Sequence, residues 1–407
     1  MVKSSKKNRT TKTSRKVFAS IKKKSGQSLQ WLFYFFALGT FLLSQYFAVR
    51  KNFLAGIIWF IATIILLYLN YAKFSFLTHL DNWGPNRAPK SLRKDPIRFM
   101  VPAFFLAYLM VLLWKPLFHP NLVLGGFDML FHFPYKIYWI NSLKEGDPAL
   151  WNPYYHAGIS FIGWPSASPC SPFNILFFIF PSSYAYSLQV FILFFVSAFG
   201  MYFLARFLGA GWKGGVLAGM AFSFGGYYLS RMGQGQELIW FPIAWTPWMV
   251  WSAEKALREK KILWIAMTSF FAALAYFEGF PQTTQYSLLI LALYLLGAWL
   301  FRGASFKIFL TVSLGAVVGF LILTAVVLFP ESEYVRLTNR WEWHYADIME
   351  NYVTPDALPI FWNPFRGSPF DLSGFKTRMG YHEVANYVGY IPLFLFFCNA
   401  LLISETN

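Results

Sequence analysis

Apolar residues along this chain come in long blocks rather than in short alternating stretches. Ten runs of about 16 to 22 residues, each bounded by charged or turn residues, fall at 31–49, 53–69, 99–117, 187–207, 214–230, 238–253, 262–277, 286–301, 308–329 and 387–403. A helix of that length crosses a hydrocarbon core of about 30 Å with its backbone hydrogen bonds satisfied internally. The pattern therefore predicts an all-α fold, a polytopic transmembrane bundle of about ten helices. Two intervals, 118–186 and 330–386, are far longer than a connection requires. They are rich in Trp, Tyr, Phe, Pro and Gly rather than in disorder-promoting residues, so both are expected to be folded loops. The stretch Ile175 to Phe180 is too short to span and suits a helix lying at the membrane interface.

Composition agrees: 57% of residues are hydrophobic and 13% charged, against about 25% charged in a soluble domain. An ordinary cytosolic enzyme is excluded. Ten of the 35 basic residues lie within the first 24 positions, with no acid among them. This tail directly precedes the first apolar run and reads as a juxtamembrane anchor to anionic lipid, not as a nucleic-acid arm. With the N-terminus in the cytoplasm, every short internal loop is basic, as orientation by positive charge requires. Both long loops then lie outside, with 13 of the 18 acids on that side. The expected organisation is a basic tail at 1–26, a hairpin and cytoplasmic loop at 27–96, and a main membrane module at 97–407, in the cytoplasmic membrane.

No predicted span has an ionisable residue near its centre, which disfavours ion-coupled transport. Nucleotide-binding, zinc-protease and serine-hydrolase signatures are missing, and Cys170 and Cys398 have neither disulfide nor metal-ligand placement. Candidate chemistry is left to the outer helix mouths. In Gly125-Gly126-Phe127-Asp128, followed by His132, a carboxylate approached closely by backbone can act as a general base, or simply cap a helix. Trp151-Asn152-Pro153 is either a turn with an interfacial Trp or a sugar-stacking platform. Gln236, Glu237, Glu278 and Gln282 are placed to bond sugar hydroxyls at an outward cavity, or to end helices in water. Arg336 and Arg340 are placed to hold a phosphate bidentately or to anchor a helix. Glu331 beside them would neutralise the pair or help hold a divalent metal ion.

Several short motifs carry a family resemblance across about 97–403. Gly126-x-Asp128-x-x-x-His132, Leu150-Trp151-Asn152-Pro153 with Gly158, and Ser171-Pro172-Phe173-Asn174 resemble the first external loop of bacterial YfhO-type membrane proteins. Gly225-Gly226-Tyr227-Tyr228, Trp245-Thr246-Pro247, Gly279-Phe280-Pro281-Gln282, Pro330 with Arg336 and Arg340, and Tyr387-Val388-Gly389 follow in that group's order. The resemblance implies a GT-C-like glycosyltransferase. Its catalytic acid position would be Asp128, its donor a polyprenyl-phosphate-linked sugar, and its acceptor a cell-envelope glycopolymer or lipid. A lipid-linked saccharide transporter and a non-catalytic assembly subunit are the alternatives.

Overall fold

The computed structural model describes residues 97–338, except 120, 121, 123, 147 and 156, together with 360, 385, 387–389, 391 and 392. The basic tail, the predicted hairpin, most of the second external loop with Arg340, and most of the last predicted span lie outside the described residues. Two compact units divide the chain. One comprises 1–110 and 117–119; the other holds 111–116 and 120–407. In the first, the described part is essentially one apolar helix, α1 (Ile97–Leu112), which runs on beyond the unit boundary. A short helix, α2 (Trp114–Phe118), follows it.

Among its described residues, the second unit consists of helices and their connecting turns apart from one two-residue strand pair. The 118–186 segment, expected to be the first external loop, carries α3 (Met129–Lys144). Trp151–Asn152 (β1) then pairs antiparallel with Ile159–Ser160 (β2), Trp151 opposite Ser160. A short helix, α4 (Leu176–Ile179), leaves Phe178 and Ile179 exposed, as an interfacial segment would. Next come α5 (Ser182–Phe207), α6 (Trp212–Ser223), α7 (Gly226–Gln234), α8 (Glu237–Trp240), α9 (Thr246–Glu259), α10 (Ile262–Phe277), α11 (Pro281–Arg302) and α12 (Phe306–Arg336). Helices α5, α11 and α12 are long and apolar enough to cross a membrane, and the shorter α10 is also apolar.

Two predicted spans are broken. The 214–230 run is split into α6 and α7 where Phe224 leaves the helical region and Gly225 is extended. The 238–253 run is split by a 3-10 turn at Pro242–Trp245 before α9 begins. Proline has no amide to give a preceding turn, so a kink or tighter turn is the usual result. Conversely, α12 passes through Pro330 and continues to Arg336, so Glu331 and Arg336 belong to a helix end rather than to a loop.

Helices α9, α10, α11 and α12 share a core built from Met249, Trp251, Trp264, Ala272, Leu291, Leu295 and Val312, joined by Leu204 of α5. Small residues bring α10 and α12 close. A side chain at Gly319 would strike Ser269, and Ser269 donates to the Ala316 carbonyl at 3.1 Å. Such contacts matter in lipid, where burial of apolar surface gives helices little reason to associate. Thr246 donates to Ser287 at 2.8 Å, Thr268 to Ser252 at 3.0 Å and Ser223 to Ser197 at 2.7 Å, each tying one helix to another.

Candidate functional site

Asp128 stands immediately before α3 and is half-buried; its side chain makes no capping bond to that helix. Instead it turns to the α7–α8 corner, where the Gln236 amide donates to Oδ2. Arg231 in turn donates to Gln236 Oε1 and lies over the Tyr227 ring at 5.4 Å. An Arg231–Gln236–Asp128 series results, in which the guanidinium fixes which way the Gln236 amide faces and that amide holds the carboxylate.

Backbone packing makes the approach possible. The Asp128 amide donates to the Gln234 carbonyl at 3.0 Å. A Cβ on Gly126 would sit 2.5 Å from the Gly233 carbonyl oxygen, and one on Gly235 would sit 2.7 Å from the Met129 nitrogen. Gly235 also ends α7 at φ +81°, the left-handed region that glycine enters without strain.

Around Asp128 the other polar groups are withdrawn from water. His132, one turn along α3, has a buried Nδ1 with no hydrogen-bond partner. Burial pulls its imidazole below the usual range, against the opposing effect of the Asp128 charge. Glu237 is fully buried, accepts from the Tyr186 hydroxyl at 3.2 Å, and is pushed up to about 8, first by burial and less by the Asp128 charge. A neutral acid thus lies close to Asp128.

Glu278, expected at an outward cavity or in water, is fully buried at the turn between α10 and α11. Its Oε2 accepts from Ser171 at 3.2 Å and from Gln189 at 3.1 Å, and its backbone carbonyl accepts from Ser168 at 2.8 Å. Lys136 of α3 is buried nearby and also packs over the Phe177 ring at 5.2 Å. Burial raises the Glu278 carboxyl and lowers the Lys136 ammonium, each partly offset by the other's charge. The cluster fastens the 118–186 segment to the α10–α11 turn.

The remaining predicted residues separate. Asn152 is buried and its side chain accepts from the Tyr154 amide at 3.0 Å, a local turn. Trp151 is exposed and packs against Gly158. Gln282 is exposed and donates to the Tyr286 hydroxyl at 2.7 Å. Glu331 accepts from the Tyr276 hydroxyl. Among the described residues no group of three or more His, Cys, Asp and Glu is arranged to hold a metal ion.

Glu331 and Arg336 line a cavity of about 420 Å³ with Tyr276, Gln285, Ser332 and Phe320. A second cavity of about 390 Å³, lined by Leu289, Leu291, Leu295, Val317 and Phe320, shares Gln285, Leu288 and Phe320 with the first. The two adjoin along a groove bordered by α10, α11 and α12, with polar groups at the helix ends in the first and mostly apolar walls in the second. The 118–186 segment packs on another face of α12: Trp164 meets Tyr334, which lines neither cavity, edge-on at 5.7 Å and lies 6.3 Å from Tyr135 of α3. Arg231, Lys136 and Tyr186 are the site residues that the sequence reading did not single out. The signal for the first two was available, since both are basic residues on the side predicted to lie outside. Comparisons of the chain with protein-family models, curated proteins and solved structures give no match.

Proposed function

We propose that the chain is a multi-pass membrane glycosyltransferase of about ten spans, with its N-terminus in the cytoplasm. It moves a sugar from a polyprenyl-phosphate-linked donor to an extracytoplasmic cell-envelope glycopolymer or lipid. The observation that carries this reading is the α11–α12 groove. A substrate with a long hydrocarbon tail and an anionic head matches a channel whose lower wall is Leu and Val and whose mouth presents Arg336. Arg336 holds the phosphate by charge-assisted hydrogen bonds. Asp128, oriented by Gln236, takes the proton from the acceptor hydroxyl while the phosphate leaves. The loop that carries Asp128 also packs on α12, the helix that bears Arg336, through the Trp164–Tyr334 contact. The YfhO-type resemblance supports the same assignment.

Asp128→Asn keeps the shape and removes the basicity. It should insert and fold normally, yet lose sugar transfer in proteoliposomes by about 10²- to 10⁴-fold. Full transfer by this variant would remove the catalytic assignment and favour a non-catalytic assembly subunit.

A further inference from the structure

The lower wall of the groove is Leu288, Ala292 and Leu295 on α11, and Phe320, Ala316 and Ser313 on α12. Both sets keep the three- and four-residue spacing that holds side chains on one helix face. The next residues along the two stripes are Trp299 and Phe309. Their rings stack on each other at 5.4 Å, with planes 18° apart, and Phe306 meets the same indole at 5.3 Å. Just past them the 303–305 turn joins α11 to α12. The stacked rings thus stand across the groove directly above a hairpin turn, and the groove is blind at that end.

From Leu328, the apolar wall residue below Glu331 and Ser332, to Ser313 is fifteen residues of α12, or about 22 Å at 1.5 Å per residue. An extended geranylgeranyl chain is about that long, and an undecaprenyl tail is more than twice as long. One stripe from each helix leaves room for a single chain. To the side, the wall residues Leu289, Val317 and Leu321 are 56%, 53% and 45% exposed, so the groove opens laterally on the surface that faces lipid. A hydrocarbon chain entering from the Arg336 end therefore runs down to the rings and continues by turning out between α11 and α12. We propose that the Trp299–Phe309 stack is a chain stop. The protein encloses about the first four isoprene units of a polyprenyl phosphate whose head lies at Arg336, and leaves the rest of the tail in the bilayer. Tail length beyond the stop goes unread, because in lipid a tail gains from a protein groove by packing and only the enclosed units pack. This rests on reading the groove as the polyprenyl-phosphate site, and adds which part of that lipid is recognised and which residues set the limit.

The test is competition in lipid nanodiscs that hold the full chain, with radiolabelled geranylgeranyl phosphate displaced by unlabelled lipids compared at equal mole fraction in the bilayer. Geranylgeranyl phosphate and undecaprenyl phosphate should compete within about threefold of each other. Dioleoyl phosphatidic acid, which carries the same head on two chains, should compete at least about tenfold less well. Trp299→Ala removes one ring of the stop, so undecaprenyl phosphate should then outcompete geranylgeranyl phosphate by more than about threefold. Phe309→Ala removes the other ring and should do the same, which keeps the test open if one variant fails to fold. A larger undecaprenyl advantage already present in the native protein, an unchanged ratio in the variants, or equal competition by phosphatidic acid would overturn the chain stop but not the binding of polyprenyl phosphate. Failure of every prenyl phosphate to bind would overturn the donor assignment as well.

Discussion

The buried carboxyl of Glu237 makes the stability of this protein depend on pH in a direction opposite to that of a salt-bridged acid. Its pKa rises from 4.5 to about 8 on folding, mainly through burial. The folded state therefore holds this proton more tightly than the unfolded chain. The resulting stability is complete below about pH 4.5 and is lost as the pH rises through about 8. At about 1.4 kcal/mol per pKa unit, the ceiling on the effect is roughly 5 kcal/mol. Half of that ceiling, at roughly 2–4 °C per kcal/mol, lowers the unfolding midpoint by about 5–10 °C. Glu237→Gln keeps the volume and the acceptor for Tyr186 but has no proton to lose. Thermal unfolding in nanodiscs from pH 5 to 9 should show the native midpoint falling relative to the variant's, and the difference should level off above pH 8. Other acids, Glu278 included, titrate in both proteins and cancel in that difference. Parallel curves, or a native protein that gains on the variant as pH rises, would refute the burial argument.

Three further outcomes follow from the geometry. Gly126→Ala drives a Cβ into the Gly233–Gln234 backbone and should cost about 1–3 kcal/mol in unfolding experiments, with a loss of transfer beyond what the lower stability explains. Glu254→Gln removes the negative charge, and one of the two oxygens, that Arg258, Arg302 and Tyr294 share at the opposite end of the bundle from Glu278; it should cost about 1–2 kcal/mol, and high salt should shrink the difference. Arg336→Gln should weaken binding of a polyprenyl phosphate by about tenfold, roughly 1.4 kcal/mol, while binding of the uncharged prenol stays unchanged.

Hydrophobic blocks located the long helices well, because a run of apolar residues has few other ways to satisfy its backbone in lipid. The run 262–277 coincides with α10, and α5 begins five residues before its run at 187 because Ser182–Tyr186 extend the same helix. Block length says nothing about continuity, however. The breaks at Gly225 and Pro242 lie inside runs that carry no charged residue. In the site, Asp128 and Gln236 were both legible as polar residues at helix mouths, yet their pairing spans 108 positions and depends on glycine contacts that no local pattern reveals. Glu237 and Glu278 looked like water-facing helix ends. Their burial comes from tertiary packing: Tyr186 covers one, and Ser168, Ser171, Gln189 and Lys136 surround the other.

The break between α6 and α7 bears on how the chain is made. The Gly226 amide at the start of α7 donates to the Tyr387 carbonyl at 2.6 Å, and a Cβ on Gly226 would sit 2.9 Å from the Ala385 carbonyl oxygen. These partners lie about 160 residues downstream. During synthesis at about 5–20 residues per second, that amide waits roughly 8–30 s for its acceptor. Until then the α6–α7 corner must stay hydrated or be shielded by the insertion machinery. A ribosome stalled before residue 385 should therefore hold a nascent chain whose inserted helices are accompanied by an unfinished corner, detectable as protease or hydrogen-exchange sensitivity at 224–226 that disappears once Tyr387 has emerged.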